Sequence, residues 1–408
     1  MPTTTAGNAA TSRGWVLVLA LAIGQLISWG TTFYTFPLVI DPMIAELGWA
    51  RTTAYMAPAF GLIAQAVCAP LAGFWMQRHG GRLSMTIGSL GVAASILAWS
   101  SVNEPWQLMA AWVLMGVAQA FVLYEPAFTV VAQRKALDFR RSVGAITLLG
   151  GLAGTVFVPG TQLLVELLGW RQAVLCLAAI NLAVPMILHA LLVPSGNGGA
   201  DKAPHADEAT SAEPPPTGLS PRIWLGLALW FTAGSAYLSG VTFHFVPLLA
   251  AEGIPPTTLA AIFAVVGPSQ LLGRACLMFL GSRASAFGAG LSTVSMLLVS
   301  SVMLWTLPHS TPGLIAFGVV YGAGNGIMTI ARGIAIAEIG GRARYAALTG
   351  ILQMPAVLAL ALTPVIISLL RDAGGADAAY AAFLTVTVLS AAGFAIALLP
   401  PIRPPRTA

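Results

Sequence analysis

Residues 194–221 read PSGNGGADKAPHADEATSAEPPPTGLSP, a polar stretch rich in Pro, Gly and Ala with no apolar period. Such a segment has no hydrophobic face to bury and reads as a flexible linker. What it separates is opposite in character. Residues 14–193 and 222–400 are two portions of nearly equal length, each holding six long apolar stretches. The first six run over approximately 14–38, 53–75, 83–101, 107–128, 142–166 and 172–193. The second six run over approximately 223–250, 257–280, 285–305, 313–337, 347–370 and 380–400. A hydrocarbon core about 30 Å thick needs roughly 20 apolar residues at 1.5 Å of rise each. Each stretch is therefore a candidate spanning helix. The expected fold class is an all-α polytopic membrane protein, with twelve transmembrane helices in two pseudo-symmetric six-helix bundles and short tails at 1–13 and 401–408.

Composition leads to the same place. Of the 408 residues, 57% are hydrophobic and 8% charged, against about 25% charged in a soluble protein. A globular surface cannot be covered with water-compatible groups from that stock, and disorder or a collagen-like chain is excluded as well. Cys68, Cys176 and Cys276 stand far apart in apolar stretches, with no zinc spacing and no CxxC, so neither a disulfide scaffold nor a metal site is expected. The first apolar stretch is too long for a signal peptide and no small-residue cleavage site follows it.

Basic residues set the orientation. With both termini cytoplasmic, fourteen of the nineteen Lys and Arg residues fall in inside segments, Arg78, Arg82, Arg140 and Arg342 among them. Arg51, Arg171 and Arg371 fall outside, and Arg274 and Arg332 lie within spans. The net charge of +5 thus reflects topology and gives no reason to invoke nucleic acid. A bacterial inner membrane is the expected location, and a monomer the expected state. The halves also echo each other. Phe33-Tyr34-Thr35-Phe36-Pro37-Leu38 in the first span matches Phe243-His244-Phe245-Val246-Pro247-Leu248 in the seventh. Gly116-Val117-Ala118-Gln119-Ala120 in the fourth matches Gly322-Ala323-Gly324-Asn325-Gly326 in the tenth.

Two six-helix halves joined by a cytoplasmic linker resemble the major facilitator superfamily of secondary transporters. Many members carry Gly-x-x-x-Asp-Arg-x-Gly-x-Arg between spans 2 and 3, and this chain has Gly73, Arg78, Gly80 and Arg82 there, with Gln77 in place of the Asp. That departure removes a carboxylate from the family's cytoplasmic charge network, in which Arg78 and Arg82 are the gating candidates. Gly273-Arg274 with Gly281-Ser282-Arg283 is a degraded counterpart in the second half. Leu47-Gly48-Trp49-Ala50-Arg51, then Arg141-Ser142-Val143-Gly144 and Gly169-Trp170-Arg171, are similar to the monocarboxylate and oxalate/formate-type branch. The resemblance implies alternating access around a midplane site lined by spans 1, 4, 7 and 10.

Within those four spans, Gln25, Gln119, Tyr237 and Asn325 each lie roughly 11 to 14 residues from a span end, close to mid-membrane at 1.5 Å per residue. Four polar groups at one depth suit a ligand site in an apolar wall; interhelical hydrogen bonds, worth about 0.6 kcal/mol each, would place the same residues there. Charges are the more expensive signal, since an Arg or Asp at a helix centre costs about 2.5–3.5 kcal/mol on insertion scales. Glu125 follows Gln119 by six residues and Arg332 follows Asn325 by seven. They are candidates for a pair across the halves that closes the cytoplasmic side, unless each reaches the headgroups separately.

In monocarboxylate-type relatives an arginine in span 8 holds the substrate carboxylate, which makes Arg274 the candidate anion anchor, with Gln270 one turn earlier on the same face. The competing role is structural, near the inner gate. Histidine is the residue type suited to proton exchange near physiological pH, which makes His244 a candidate proton carrier or substrate donor at the outer mouth, facing Tyr34. His189 and the span-end tryptophans Trp15, Trp106, Trp112, Trp224 and Trp305 are expected at the membrane interfaces. The sequence has no ATP-binding loop, HExxH, nucleophile elbow or dinucleotide fingerprint, so no cofactor and no enzymatic activity is expected. The expected function is gradient-driven transport of a small solute, an organic anion such as a monocarboxylate, with the proton as coupling ion and membrane lipid as surroundings. Efflux of drugs or trivalent metalloids and a non-transporting membrane sensor are the alternatives.

Overall fold

The computed structural model describes residues 4–134, 137–195, 219–307 and 310–398. Most of the expected linker, the tail 401–408 and the basic residues Lys135, Lys202, Arg403 and Arg406 lie outside the described residues. In the first half, α1 (Thr4–Trp29) runs through a π-helical turn, Gly30–Tyr34, into α2 (Phe36–Leu47). Then come α3 (Arg51–His79), α4 (Gly81–Ser100), the broken pair α5 (Pro105–Gln119) and α6 (Tyr124–Ala132), and a second broken pair, α7 (Phe139–Gly150) and α8 (Ala153–Leu168). The half ends with α9 (Trp170–Asn181), a π-helical turn at Leu182–Met186 and α10 (Ile187–Leu192). The second half has α11 (Pro221–Ala251), α12 (Pro256–Leu280), α13 (Ala286–Thr306), α14 (Thr311–Ile339) and α15 (Tyr345–Leu398).

Ten described runs are long and apolar enough to cross a membrane. Two differences separate this count from the twelve expected stretches. The described run Ala264–Leu280 of α12 is apolar but shorter than the others. The stretches 347–370 and 380–400 both belong to α15, which joins two helices across a non-helical pair, Gly374 and Gly375, the latter at φ 70°. Glycine has no Cβ to clash at positive φ, so the chain breaks its helix there without a loop.

Both halves are tied at the end opposite the linker by one device. A carboxylate at the end of the first helical run accepts a hydrogen bond from an aromatic residue at the start of the last. Trp170 Nε1 donates to Glu46 Oε2 at 2.6 Å and Arg171 Nε to Glu46 Oε1 at 2.9 Å. In the second half the Tyr380 hydroxyl donates to Glu252 Oε1 at 2.5 Å. The repeat inferred from short motifs thus has a counterpart in contacts that those motifs do not include.

Polar side chains also splint helices that proline interrupts. Pro126 has no N–H for the Val122 carbonyl, and Gln25 Nε2 donates to that oxygen at 2.7 Å. Pro364 leaves the Leu360 carbonyl in the same position, and Ser239 Oγ donates to it at 2.6 Å. In lipid no water can take these places.

Two expected interfacial residues are inside. Trp112 is buried, its ring 5.1 Å from Phe36 and 5.6 Å from Trp99. His189 is wholly buried, with Nδ1 2.7 Å from Ser89 Oγ. It fits because Gly24 opposite it has no side chain: a Cβ there would stand 2.6 Å from His189 Nε2. Trp15, Trp106 and Trp305 are exposed.

Ser239→Ala should lower stability by about 1–2 kcal/mol, because it strands a buried carbonyl. Adding Pro364→Ala supplies a backbone N–H to the same oxygen and should recover most of the loss. Thermal unfolding of the detergent-solubilised single and double variants tests this; a double variant no more stable than Ser239→Ala alone would show that the splint is not what matters.

Candidate functional site

The halves meet along a seam whose tightest part is the end from which the linker leaves. There α3 lies against the start of α15 with glycine on both sides. A Cβ on Gly350 would stand 2.5 Å from the Ala69 carbonyl oxygen, and one on Gly73 would collide with the Ala346 carbonyl. On the other flank α7 meets α12, where a Cβ on Gly144 would lie 2.7 Å from Met278 Cβ. Such close backbone approach is how helices associate where lipid removes the hydrophobic drive between them.

Polar contacts across the seam fall in layers within this same end. Outermost, Arg140 pairs with Glu338, Arg342 Nη1 lies 3.4 Å from the Arg134 carbonyl, and the Arg342 guanidinium lies over the Phe139 ring. Deeper in, Arg332 Nη2 bonds Glu125 Oε1 at 3.1 Å and Gln353 Oε1 at 2.8 Å, while Arg332 Nη1 lies 3.3 Å from Ser235 Oγ. Helices α6 and α14 run on to Ala132 and Ile339, past the expected ends at 128 and 337. Glu125 and Arg332 therefore each sit seven residues inside, roughly 10 Å from the helix end, and turn towards each other.

Arg274, the third crossing, is buried at 7% exposure. Its Nη1 donates to the Thr147 carbonyl of α7 at 2.8 Å, and its Nε is buried without a partner. The break between α7 and α8 makes room for it. Gly151 lies under the guanidinium and Gly150 under the Tyr124 hydroxyl, where a Cβ would come within 2.6 Å. Arg274 and Tyr124 thus stand side by side on adjacent glycines. Around them runs an aromatic row: Trp29 is 4.7 Å from Phe33 and 5.2 Å from Tyr124, which stacks on Phe128 at 5.6 Å. The Trp29 indole N–H is also buried and unpartnered.

The remaining candidates divide. Gln25 reaches the seam side of the first half but donates to Val122, leaving Oε1 unpartnered. Gln119 is buried, with Nε2 unpartnered, in a crevice that it shares with Gln65, Glu125, Thr349 and Gln353. Tyr34 is 39% exposed and packs on Gly154. Asn325 is half-buried and shares a face of α14 with Tyr321, Met328 and Arg332 by helical spacing, the face turned to α11. Gln270 is half-buried, its backbone pressed against Gly326.

Two candidates are drawn away from the seam. Tyr237 turns into the second bundle, bonded to Ser300 at 2.7 Å and packed against Tyr321 and Phe383. His244 Nε2 lies 2.7 Å from the Pro364 carbonyl, with Nδ1 buried and unpartnered, and no described contact joins it to Tyr34. Arg82 donates to the Val193 carbonyl at 2.6 Å, fastening α4 to the end of α10, while Arg78 is exposed. Tyr124 and Ser235 were passed over within spans 4 and 7, while Thr147 and Gln353 lie in spans 5 and 11, outside the four read for polar groups. Pro126 marked the break that exposes Tyr124; nothing in the local sequence marked Gln353.

The Major Facilitator Superfamily profile matches residues 21–290. Monocarboxylate transporter 13 of Rattus norvegicus is 25% identical over 355 residues, covering 84% of this chain and 78% of its own. The agnestins efflux protein AgnL12 of Paecilomyces divaricatus is 23% identical over 348 residues, covering 83% and 75%. Among solved structures, the human organic anion transporter MFSD10 (TETRAN) superposes with a TM-score of 0.71 at 15% identity, covering 94% of this chain and 99% of that one.

The Glu125–Arg332 contact has a direct test in a double-mutant cycle. Glu125→Arg and Arg332→Glu each put like charges in contact and should destabilise the protein, and the exchanged pair should recover a coupling energy of about 1–3 kcal/mol. Thermal unfolding of the four proteins measures it, and a coupling indistinguishable from zero would mean that the two charges are stabilised separately.

Proposed function

The chain belongs to the Major Facilitator Superfamily, and from that premise we propose that it carries a small organic anion, a monocarboxylate, by alternating access with Arg274 as the anion anchor. It is an integral membrane transporter by family and by its ten apolar runs. The bias of basic residues supports placing the linker and both termini in the cytoplasm. On that orientation the closed end of the seam is the cytoplasmic gate, and the arrangement corresponds to a protein shut towards the cytoplasm. Arg140–Glu338, Arg342 with Arg134, and Glu125–Arg332 are the contacts that must part when it opens. The energy source is an ion gradient, where one charge crossing about 100 mV is worth roughly 2.3 kcal/mol, and the proton is the coupling ion that fits the residues present.

One observation carries the substrate assignment. Arg274 is a buried guanidinium whose Nη1 donates to a backbone carbonyl, with the Tyr124 hydroxyl beside it, and whose Nε has no partner. Five donors in a planar fork suit a carboxylate held by two parallel bonds. The Tyr124 hydroxyl and the Trp29 indole N–H stand as further donors, and the Trp29, Phe33 and Tyr124 rings form an apolar wall for the rest of the solute. Similarity to proteins named as monocarboxylate and organic anion transporters supports the sign of the charge. A second reading, export of the solute, is supported by similarity to a protein named as an efflux protein.

Proteoliposomes test both. Labelled monocarboxylates should enter vesicles containing the wild-type protein, and an acid-outside gradient should speed entry. Arg274→Ala should cut uptake roughly ten- to hundredfold, the range expected for about 1.5–3 kcal/mol of charge-assisted hydrogen bonding. Arg274→Lys should stay closer to Ala than to wild type, because a point charge cannot replace the fork. Uptake by Arg274→Ala equal to wild type would leave Arg274 as a strut between α7 and α12. Movement of label out of preloaded vesicles with no uptake would favour export.

A further inference from the structure

Arg332 and Glu125 are unequally held. Arg332 has three partners besides Glu125, all in its own half: Gln353 of α15, Ser235 of α11 and the ring of Phe231, 5.8 Å away. Among the described residues the carboxylate of Glu125 has only Arg332. When the seam parts, the guanidinium keeps its company and the carboxylate is left alone inside the membrane. Neutralisation is therefore required on one side of the pair only.

A route for the neutralising ion is also present. Glu125 opens on a narrow crevice between α3, α5–α6 and α15, running from Met76 and Ala346 at the gate to Gln65 and Gln119 near the mid-membrane. Gln119 Nε2 and Thr349 Oγ1, both on residues more than nine-tenths buried, border it without hydrogen-bond partners. Buried polar groups are ordinarily satisfied by protein or by water. Two orphans in one crevice beside a carboxylate are the fittings of a short water file.

We propose that Glu125 is the site that takes up the coupling proton, delivered along water held by Gln65, Gln119, Thr349 and Gln353, and that its protonation releases the cytoplasmic gate. The proposal rests on the transport reading above and adds the identity of the proton site. A proton passes from a water of the file to a carboxylate oxygen of Glu125, making the neutral acid, and the file takes a replacement proton from bulk solvent. No other bond is made or broken. The ionisable groups facing Glu125 are Arg332 from α14 and the Tyr345 hydroxyl from α15, with Tyr124 beside it on α6 and Arg274 of α12 behind Tyr124. From α3 and α11 only the neutral Gln65 and Ser235 come near. A metal cation is a poorer fit, since a single carboxylate beside a guanidinium offers too few oxygens and an adjacent positive charge.

The test needs no solute. Infrared difference spectra of the full-length protein in lipid vesicles, recorded as the pH is lowered, should show the C=O stretch of a protonated carboxylic acid that is absent from Glu125→Gln. Glu125→Asp should keep a band at shifted frequency, which guards against misfolding of the amide variant. Gln119→Leu and Thr349→Val should slow hydrogen–deuterium exchange of the band several-fold. In transport assays Glu125→Gln should lose the response of solute movement to a pH gradient. Identical difference spectra for wild type and Glu125→Gln, or a preserved gradient response in that variant, would overturn the proposal. A Glu125 band in a protein that moves no monocarboxylate would leave the proton site standing and remove the anion reading.

Discussion

A charged side chain inside hydrocarbon must find a partner, and here Glu125, Arg332 and Arg274 each take at least one from the opposite half. An isolated Arg or carboxylate at a helix centre costs about 2.5–3.5 kcal/mol on insertion scales. Arg332 and Glu125 meet that cost through each other, and Arg274 meets it through the Thr147 carbonyl. Neither arrangement exists unless the two bundles are pressed together. The same charges that would be liabilities in separate bundles thus become the reason for the seam, and the glycines at 73, 144 and 350 bring the helices near enough for the contacts to form.

Backbone polar groups obey the same rule. The helices of spans 4 and 5 are broken at 120–123 and 151–152, and a break in lipid is tolerated only where something satisfies the freed groups. At Val122 a side chain of span 1 does this; at Leu360 a side chain of span 7 does. Residues that look like ligand donors by depth therefore include some that are already employed. Gln25 is the clear case: one amide end holds up α6 and only the other is free.

Much of this was legible in the sequence. The candidate spans and the height of each polar residue follow from hydropathy and the rise per residue. The Glu125–Arg332 spacing was visible because both residues are costly enough to stand out. Rotation about the helix axis was not legible. Rise per residue gives depth, whereas a helix hydrophobic on every side offers no moment from which to tell its lipid face from its seam face. Tyr237, with the same depth as Gln119, turns into its own bundle for that reason, and Trp112 and His189, near span ends, turn inward where Gly24 and a cluster of rings leave space. The break at Gly374–Gly375 was hidden by a different cause: the helices on both sides read as separate spans whether or not a loop joins them.

The two seam arginines differ in a way that assigns them separate work. Arg332 is surrounded by acceptors and a ring within its own half, so it stays in place whichever way the bundles move. Arg274 has one backbone acceptor, belonging to the other half, and a buried N–H aimed at nothing. Separation of α7 from α12 would remove even that bond. On the proposed reading, an anion placed between Arg274 and Tyr124 would supply what the guanidinium loses. A fully satisfied arginine holds a structure still; an under-satisfied one makes a structural change depend on what arrives.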